Sequence, residues 1–202
     1  MTGRSAKTSV ERNNLFPIFL KLEELETLIV GGGAVGLEKL SALLKSSPEV
    51  RATVIAEEFR EEIRALASVH KKIRLIERNF RVRDLQGKDI VILATDDKHL
   101  HKRIRSLARK KRILVNVADT PELCDFYLGS VVTKGSIKIG ISTNGKSPTM
   151  AKRMREFFED VVPENTNELL NNMQKIRERI KGDLRSKVKV LNEITASWLD
   201  KS

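Results

Sequence analysis

At 202 residues, 40% of them hydrophobic, with five Pro and 11 Gly, the chain can bury one good core plus a smaller appended unit and is neither disordered nor fibrous. No stretch nears the ~18 uninterrupted apolar residues of a membrane helix, the start MTGRSAKTSVERNN lacks a secretory apolar core, and a single cysteine, Cys124, excludes an internal disulfide and suits the cytoplasm. The formal charge of +11 asks for an anionic partner; with 4% aromatics and dispersed cations, an anionic metabolite is expected, not nucleic acid and not a membrane.

The segment PIFLKL (17–22) reads as an edge strand, with Pro17 at its start where no ladder hydrogen bond is lost. Short, β-branched apolar runs follow at TLIVG (27–31), RATVIA (51–56), IRLIE (73–77), IVILAT (90–95) and ILVNVA (113–118). Nearly continuous runs of this kind suit strands buried on both faces. Helical patterns lie between them at Ala34–Lys45, Glu57–Val69 and Asp97–Lys111, and the alternation implies βαβ units and a parallel sheet. GSVVTKGSIKIGIST (129–143) then reads as a hairpin turning at Lys134–Gly135. An isolated hairpin is marginal in water, so it is expected to pair with a second copy of itself. From Pro148 the pattern is helical: Pro148–Val161 with Ser147 as N-cap, about Asn165–Lys181, and Asp183–Leu199, where Trp198 is a late anchor.

The stretch VGGGAVG carries the G-x-G-x-x-G spacing at Gly31, Gly33 and Gly36, after a predicted strand and at the start of a predicted helix. Gly31 serves the tight turn, Gly33 admits a pyrophosphate to the backbone, and Gly36 lets the helix close on the sheet, which is a Rossmann-like arrangement. The helix start adds unpaired N–H groups and a partial positive charge. Glu57 and Glu58 follow the second strand, where an acid bonds a ribose 2′-hydroxyl and favours NAD over NADP; first-turn acids of the next helix are the structural alternative. Thr95 and Asp96, in ATDD, fall at the same sheet edge as cofactor contacts, with Asp97 as helix N-cap.

Asp119, in VNVADTPELCDF, lies just past the fifth strand. A carboxylate flanked by apolar residues can act as general acid or base, while ADTPE can equally be a turn. In ISTNGKSP, Ser142, Thr143, Lys146 and Ser147 can hold ligand carboxylates or form a polar hinge. Lys152, Arg153 and Arg155 come next, and RKKR (109–112) reads as a solvated helix face. His99 and His101 share a predicted surface helix two residues apart and so do not face one ligand. No Cys/His cluster suggests a fixed metal, and Cys124 reads as a packed small hydrophobe.

Together PIFLKL, LIVGGGAVGLEK, ATDD, NVADTPELCDF and IGISTNGKSPTMAKRMRE resemble the precorrin-2 dehydrogenase family, the dehydrogenase/ferrochelatase part of siroheme synthase. The resemblance covers about Asn14 to Val161. It implies oxidation of precorrin-2 to sirohydrochlorin with NAD as hydride acceptor, Asp119 as the catalytic aspartate, and cofactor contacts at Ala34, Val35, Glu57 and Glu58. It further implies a homodimer joined through the middle domain and an active cleft between the nucleotide-binding fold and the helical end, with Ser142, Thr143, Lys146, Ser147 and Arg153 as candidate substrate contacts, and some members also insert ferrous iron. Gly36 stands where many members have Ala, Glu57 where Pro or Leu is frequent, and YLGS where a proline is common. The expected architecture is an NAD-binding Rossmann-like domain (1–113), a small β-hairpin dimerisation domain (114–146) and a C-terminal helical domain (147–202). The competing expectation is an NAD-binding regulatory module without catalysis.

Overall fold

The structure is a computed structural model that describes residues 12–180 and 183–195. Five strands, β1 (Glu26–Val30), β2 (Arg51–Ala56), β3 (Ile73–Glu77), β4 (Ile90–Leu93) and β5 (Leu114–Val117), form one parallel sheet in the order β3-β2-β1-β4-β5. Helices α1 (Ala34–Ser46), α2 (Glu61–Val69) and α3 (Lys98–Lys110) alternate with them. Side chains of a strand point alternately to the two faces. Ile29, Val54 and Ile92 therefore pack with Leu40 and Leu44 of α1 and Ile63 of α2, while Leu28, Val30, Val91 and Val115 pack with Ile104 and Ala108 of α3. Both faces are covered, which is why the runs are continuously apolar. Leu28, Ile29, Ile92 and Ile104 are fully buried, and truncating any of them to Ala costs about 2–5 kcal/mol.

The chain leaves β1 towards β2 on one side and, after β3, returns to β4 on the other. The order thus reverses beside β1, and a crevice opens past the carboxyl ends of β1 and β4.

After β5 come the hairpin strands β6 (Ser130–Lys134) and β7 (Ile137–Ile141), then α4 (Pro148–Val161), α5 (Thr166–Arg179) and α6 (Leu184–Thr195). The chain divides into two compact units: one reaches Gly129 and includes Ser142–Pro148, the other comprises Ser130–Ile141 and the chain from Thr149 onward. In the second unit Val132, Ile141 and Ala151 form a small core with Ile139 and Phe158. Lys134 pairs with Glu164, and the Ser136 backbone N–H donates to Asn167 Oδ1 at 2.7 Å, which ties the hairpin tip to the start of α5.

Four expectations are corrected. PIFLKL is not a strand: it joins neither sheet edge, and Ile18 and Phe19 are exposed, because a strand needs a ladder partner as well as an apolar run. The second helix starts at Glu61, after a bend at Glu57–Glu58, and not at Glu57. The hairpin turns at Gly135–Ser136, one residue later than expected; only Gly135 has positive φ (+55°), the pattern of a type II′ turn. His101 is buried and not on a helix surface. Trp198 and the end of the last predicted helix lie outside the described residues.

Candidate functional site

The glycine turn joins β1 to α1. Gly31 has φ +128°, and a Cβ there would lie 2.3 Å from the Ala94 carbonyl oxygen, so strand β4 can approach only a bare backbone. Gly36 is as constrained, since its Cβ would meet the Gly31 carbonyl oxygen at 2.2 Å. Gly32, which occupies a free position of the spacing, is tighter still: a Cβ would sit 2.1 Å from the Glu58 carbonyl oxygen. The Gly32 carbonyl also accepts the Arg60 N–H at 3.0 Å. Gly33 is different. It is exposed, extended (φ −83°, ψ −162°) and has no atom within 4 Å of a Cβ position.

Gly33 is the N-cap of α1 and offers no side chain to the free N–H groups of the first turn, which also holds no acid. The first intrahelical bond runs from Leu37 N–H to the Gly33 carbonyl, leaving the amides of Ala34, Val35 and Gly36 available to an anion. Ala34 is exposed, while Val35 packs on the core beside β1.

This turn forms the floor of an open crevice of about 760 Å³. Its walls are Glu57, Glu58, Arg78, Asn79 and Phe80 on the β2–β3 side and Thr95, Asp96 and Leu100 on the β4 side. The size suits a small-molecule ligand. Glu57 and Glu58 precede α2, whose first-turn acids are Glu61 and Glu62, so helix capping does not explain the earlier pair. Glu57 Oε1 accepts a 2.7 Å hydrogen bond from Asn79 Nδ2. Arg78 makes a two-pronged contact with Asp84, at 2.8 and 2.7 Å, and Asp84 also accepts the Arg81 N–H. The hydrogen bond from Arg78, opposed by burial, holds the Asp84 carboxyl below its usual range.

Thr95 lies 2.9 Å from His101 Nε2 across the first turn of α3. Burial, the largest effect, lowers the His101 pKa despite the opposing charge of Asp97. Asp97 caps α3 by accepting the N–H groups of His99 and Leu100, both at 2.9 Å.

Asp119 follows β5 in the left-handed region (φ +54°), outside the crevice lining. Positive φ is uncommon for a residue with a Cβ and accumulates at functional sites. Cys124 closes this turn: its Sγ accepts the Val117 N–H and lies 3.2 Å from the Val117 carbonyl and 3.4 Å from that of Thr120. Burial raises its thiol pKa, so it works as a hydrogen-bonding thiol.

Ser142 and Thr143 are already engaged in hydrogen bonds. Ser142 Oγ accepts from Asn144 N–H and Asn13 Nδ2, both at 3.2 Å, and Thr143 Oγ1 accepts the Ser147 N–H at 3.2 Å. Lys146 in that loop is exposed. Arg153 lies on α4, in the second unit, 3.3 Å from Glu156, and Arg155 pairs with Glu159 at 2.7 Å. Much of that cluster's charge is thus balanced along its own helix.

The residues gathered at the crevice are Gly31, Gly33, Glu57, Glu58, Thr95 and Asp96. Sequence reasoning missed Gly32, Arg78, Asn79 and Phe80; the third glycine of the run was the available signal for Gly32. Residues 18–130, more than half of the chain, match the NAD(P)-binding family model NAD_binding_7. The chain belongs to this NAD(P)-binding family. Residues 134–160 match the model for the central part of sirohaem biosynthesis proteins.

Similar curated proteins include a siroheme synthase of Psychrobacter cryohalolentis, 38% identical over 185 residues, which are 92% of this chain and 34% of that protein. A siroheme synthase of Methylococcus capsulatus is 38% identical over 165 residues, 82% of this chain and 34% of its own. The chain spans about a third of the length of these relatives. Among solved structures, SirC, a precorrin-2 dehydrogenase, has the same fold, with a TM-score of 0.69 at 22% identity over 89% of each chain.

Proposed function

We propose that the chain is an NAD-dependent precorrin-2 dehydrogenase of siroheme biosynthesis, acting in the cytoplasm as a homodimer. The observation that carries this reading is Gly33, the one glycine of the turn with open space beside it, at the tip of a helix with free amides. The likeness of the central segment to sirohaem biosynthesis proteins, and of most of the chain to siroheme synthases, supplies the substrate class. The residues of the turn and its walls fit a dinucleotide. The amides of Ala34–Gly36 would bind its diphosphate, Glu57 would take a ribose hydroxyl, and Thr95 and Asp96 would border the nicotinamide end.

When bound, NAD supplies the hydride acceptor. The oxidation removes a hydride and a proton from the tetrapyrrole, and the Asp119 carboxylate takes the proton at Oδ. Ser142, Thr143, Lys146 and Ser147, neighbours in one loop, would hold carboxylates of the substrate, and the +11 charge raises the local concentration of a polyanion. Dimer formation is favoured by an apolar stripe on α4, where Met150, Met154, Phe157 and Val161 recur at helical spacing and are 41–60% exposed. Among the described residues no helix is long and apolar enough to cross a membrane.

The test is purified protein with NAD and enzymatically made precorrin-2, followed by sirohydrochlorin and NADH absorbance, with ferrous iron then added to detect chelation. Appearance of both products supports the assignment. NAD binding without turnover would point instead to a regulatory module.

A further inference from the structure

The ribose wall of the crevice holds a pair of contacts whose combined effect is electrostatic. Among the described residues lining the crevice Arg78 is the only cation, and it stands beside Glu57 and Glu58. A phosphate on the adenosine ribose would need that cation free. Both terminal nitrogens of Arg78 are instead bound by Asp84, whose side chain is only 7% exposed, and Nη1 also donates to the Asn79 carbonyl at 2.9 Å. The ion pair offsets the guanidinium charge and ties up both terminal nitrogens. On the same wall Asn79 holds one oxygen of Glu57 and leaves the other to accept from a hydroxyl.

Resting on the reading of the crevice as a dinucleotide site, we infer that Asp84 and Asn79 are positioning residues that set selectivity for NAD over NADP. Asp84 withholds Arg78 from a 2′-phosphate, and Asn79 aims Glu57 at the 2′-hydroxyl. Asp84 lies outside the crevice lining and acts through Arg78, whereas Asn79 acts through Glu57. A 2′-phosphate brought to this wall meets the carboxylates of Glu57 and Glu58, and the one cation among the described lining residues is already ion-paired. The two devices come from one segment, because β3 pairs with β2 so that Ala56 lies opposite Glu77 and the residues just beyond both strands face each other.

Calorimetric titration of the full chain with NAD, NADP and adenosine 2′,5′-bisphosphate tests this. The wild type should prefer NAD by about tenfold or more, the scale of a hydrogen bond to a charged group. Asp84→Asn keeps an acceptor for the Arg81 N–H but frees the guanidinium, and it should tighten NADP and the bisphosphate about tenfold while NAD stays within about threefold. Asn79→Ala should weaken NAD by about three- to tenfold and do nothing further once Glu57 is Ala, a dependence that a merely structural role would not produce. Equal binding of NAD and NADP by the wild type overturns the selectivity inference and leaves the dinucleotide reading standing; binding of neither overturns both. Unchanged NADP affinity in a folded Asp84→Asn protein also overturns it. If Asp84→Asn does not fold, the Asn79–Glu57 cycle decides, and additive effects there refute the inference.

Discussion

Replacing Gly33 by Ala separates folding from binding more cleanly than any other change in the turn. At Gly31, Gly32 and Gly36 an added Cβ would lie 2.1–2.3 Å from a backbone oxygen, so alanine there must push strand, loop or helix apart. Overpacking of that kind costs about 1–3 kcal/mol or more. Gly33 has φ −83° and empty space, so alanine fits without strain. Restriction of the unfolded chain, about 0.4–1 kcal/mol in favour, roughly offsets the penalty of Ala in place of Gly at a helix N-cap, about 0.5–1.5 kcal/mol, so the melting temperature should stay within about 3 °C of wild type. The added methyl group would occupy the approach path of a diphosphate. Losing one charge-assisted hydrogen bond from a first-turn amide costs about 2 kcal/mol, or roughly 30-fold in NAD affinity. Circular dichroism melting together with calorimetry of Gly33→Ala and Gly36→Ala reads both quantities. Wild-type NAD affinity in Gly33→Ala would refute the reasoning, because then nothing requires the backbone to be bare at that position.

Asp119→Ala should abolish sirohydrochlorin formation, a loss of about 10²–10⁴-fold if the carboxylate carries the proton, with NAD affinity unchanged; full turnover in that variant removes its assigned role. Cys124→Ala leaves the Val117 N–H without its sulfur acceptor and should cost about 1–3 kcal/mol by urea denaturation, with a larger fall in turnover than in NAD binding. Stability should fall with acid in two phases. His101 titrates lower in the folded protein than its ordinary 6.5, so the unfolded chain binds the extra proton; its contribution is complete above about pH 6.5 and is lost as pH falls through the folded value. Asp84 and Asp97 are depressed below 3.8 and give the second phase in the same direction, below that value. A melting temperature that stays flat from pH 8 to 5 would contradict the first phase. Met154→Lys with Phe157→Lys on α4 should convert a dimer to a monomer by sedimentation, whereas an unchanged mass would move the interface elsewhere.

The sheet was legible because both of its faces are covered: five apolar runs could hardly be anything but buried strands, and Ile29, Val54 and Ile92 alternate with Leu28 and Val91 across it. PIFLKL is also an apolar run, but among the described residues it forms no strand ladder, only one backbone hydrogen bond from Arg51 N–H to the Leu22 carbonyl, and pairing is not a local property of a sequence. His101 was hidden by its neighbours. In KHLHKRIRSLARK the charges outnumber the apolar residues, and only the contact with Thr95 reveals that His101 sits on the inner face with Ile104 and Ala108. The crevice shows the same limit. The glycine spacing announces its floor, but Arg78 and Asn79 reach it through the register of β3 on β2, some twenty positions after Glu57. Gly32 was concealed by the spacing rule itself, which treats its position as free, although the Glu58 carbonyl forbids any side chain there.

The central claim is that the α1 tip binds a dinucleotide diphosphate. An amide-resolved NMR titration of the protein with NAD tests it most directly. The account predicts that the amides of Gly33, Ala34, Val35 and Gly36 move most and saturate together. Saturating NAD that leaves those four signals in place, while others shift or none do, would contradict it.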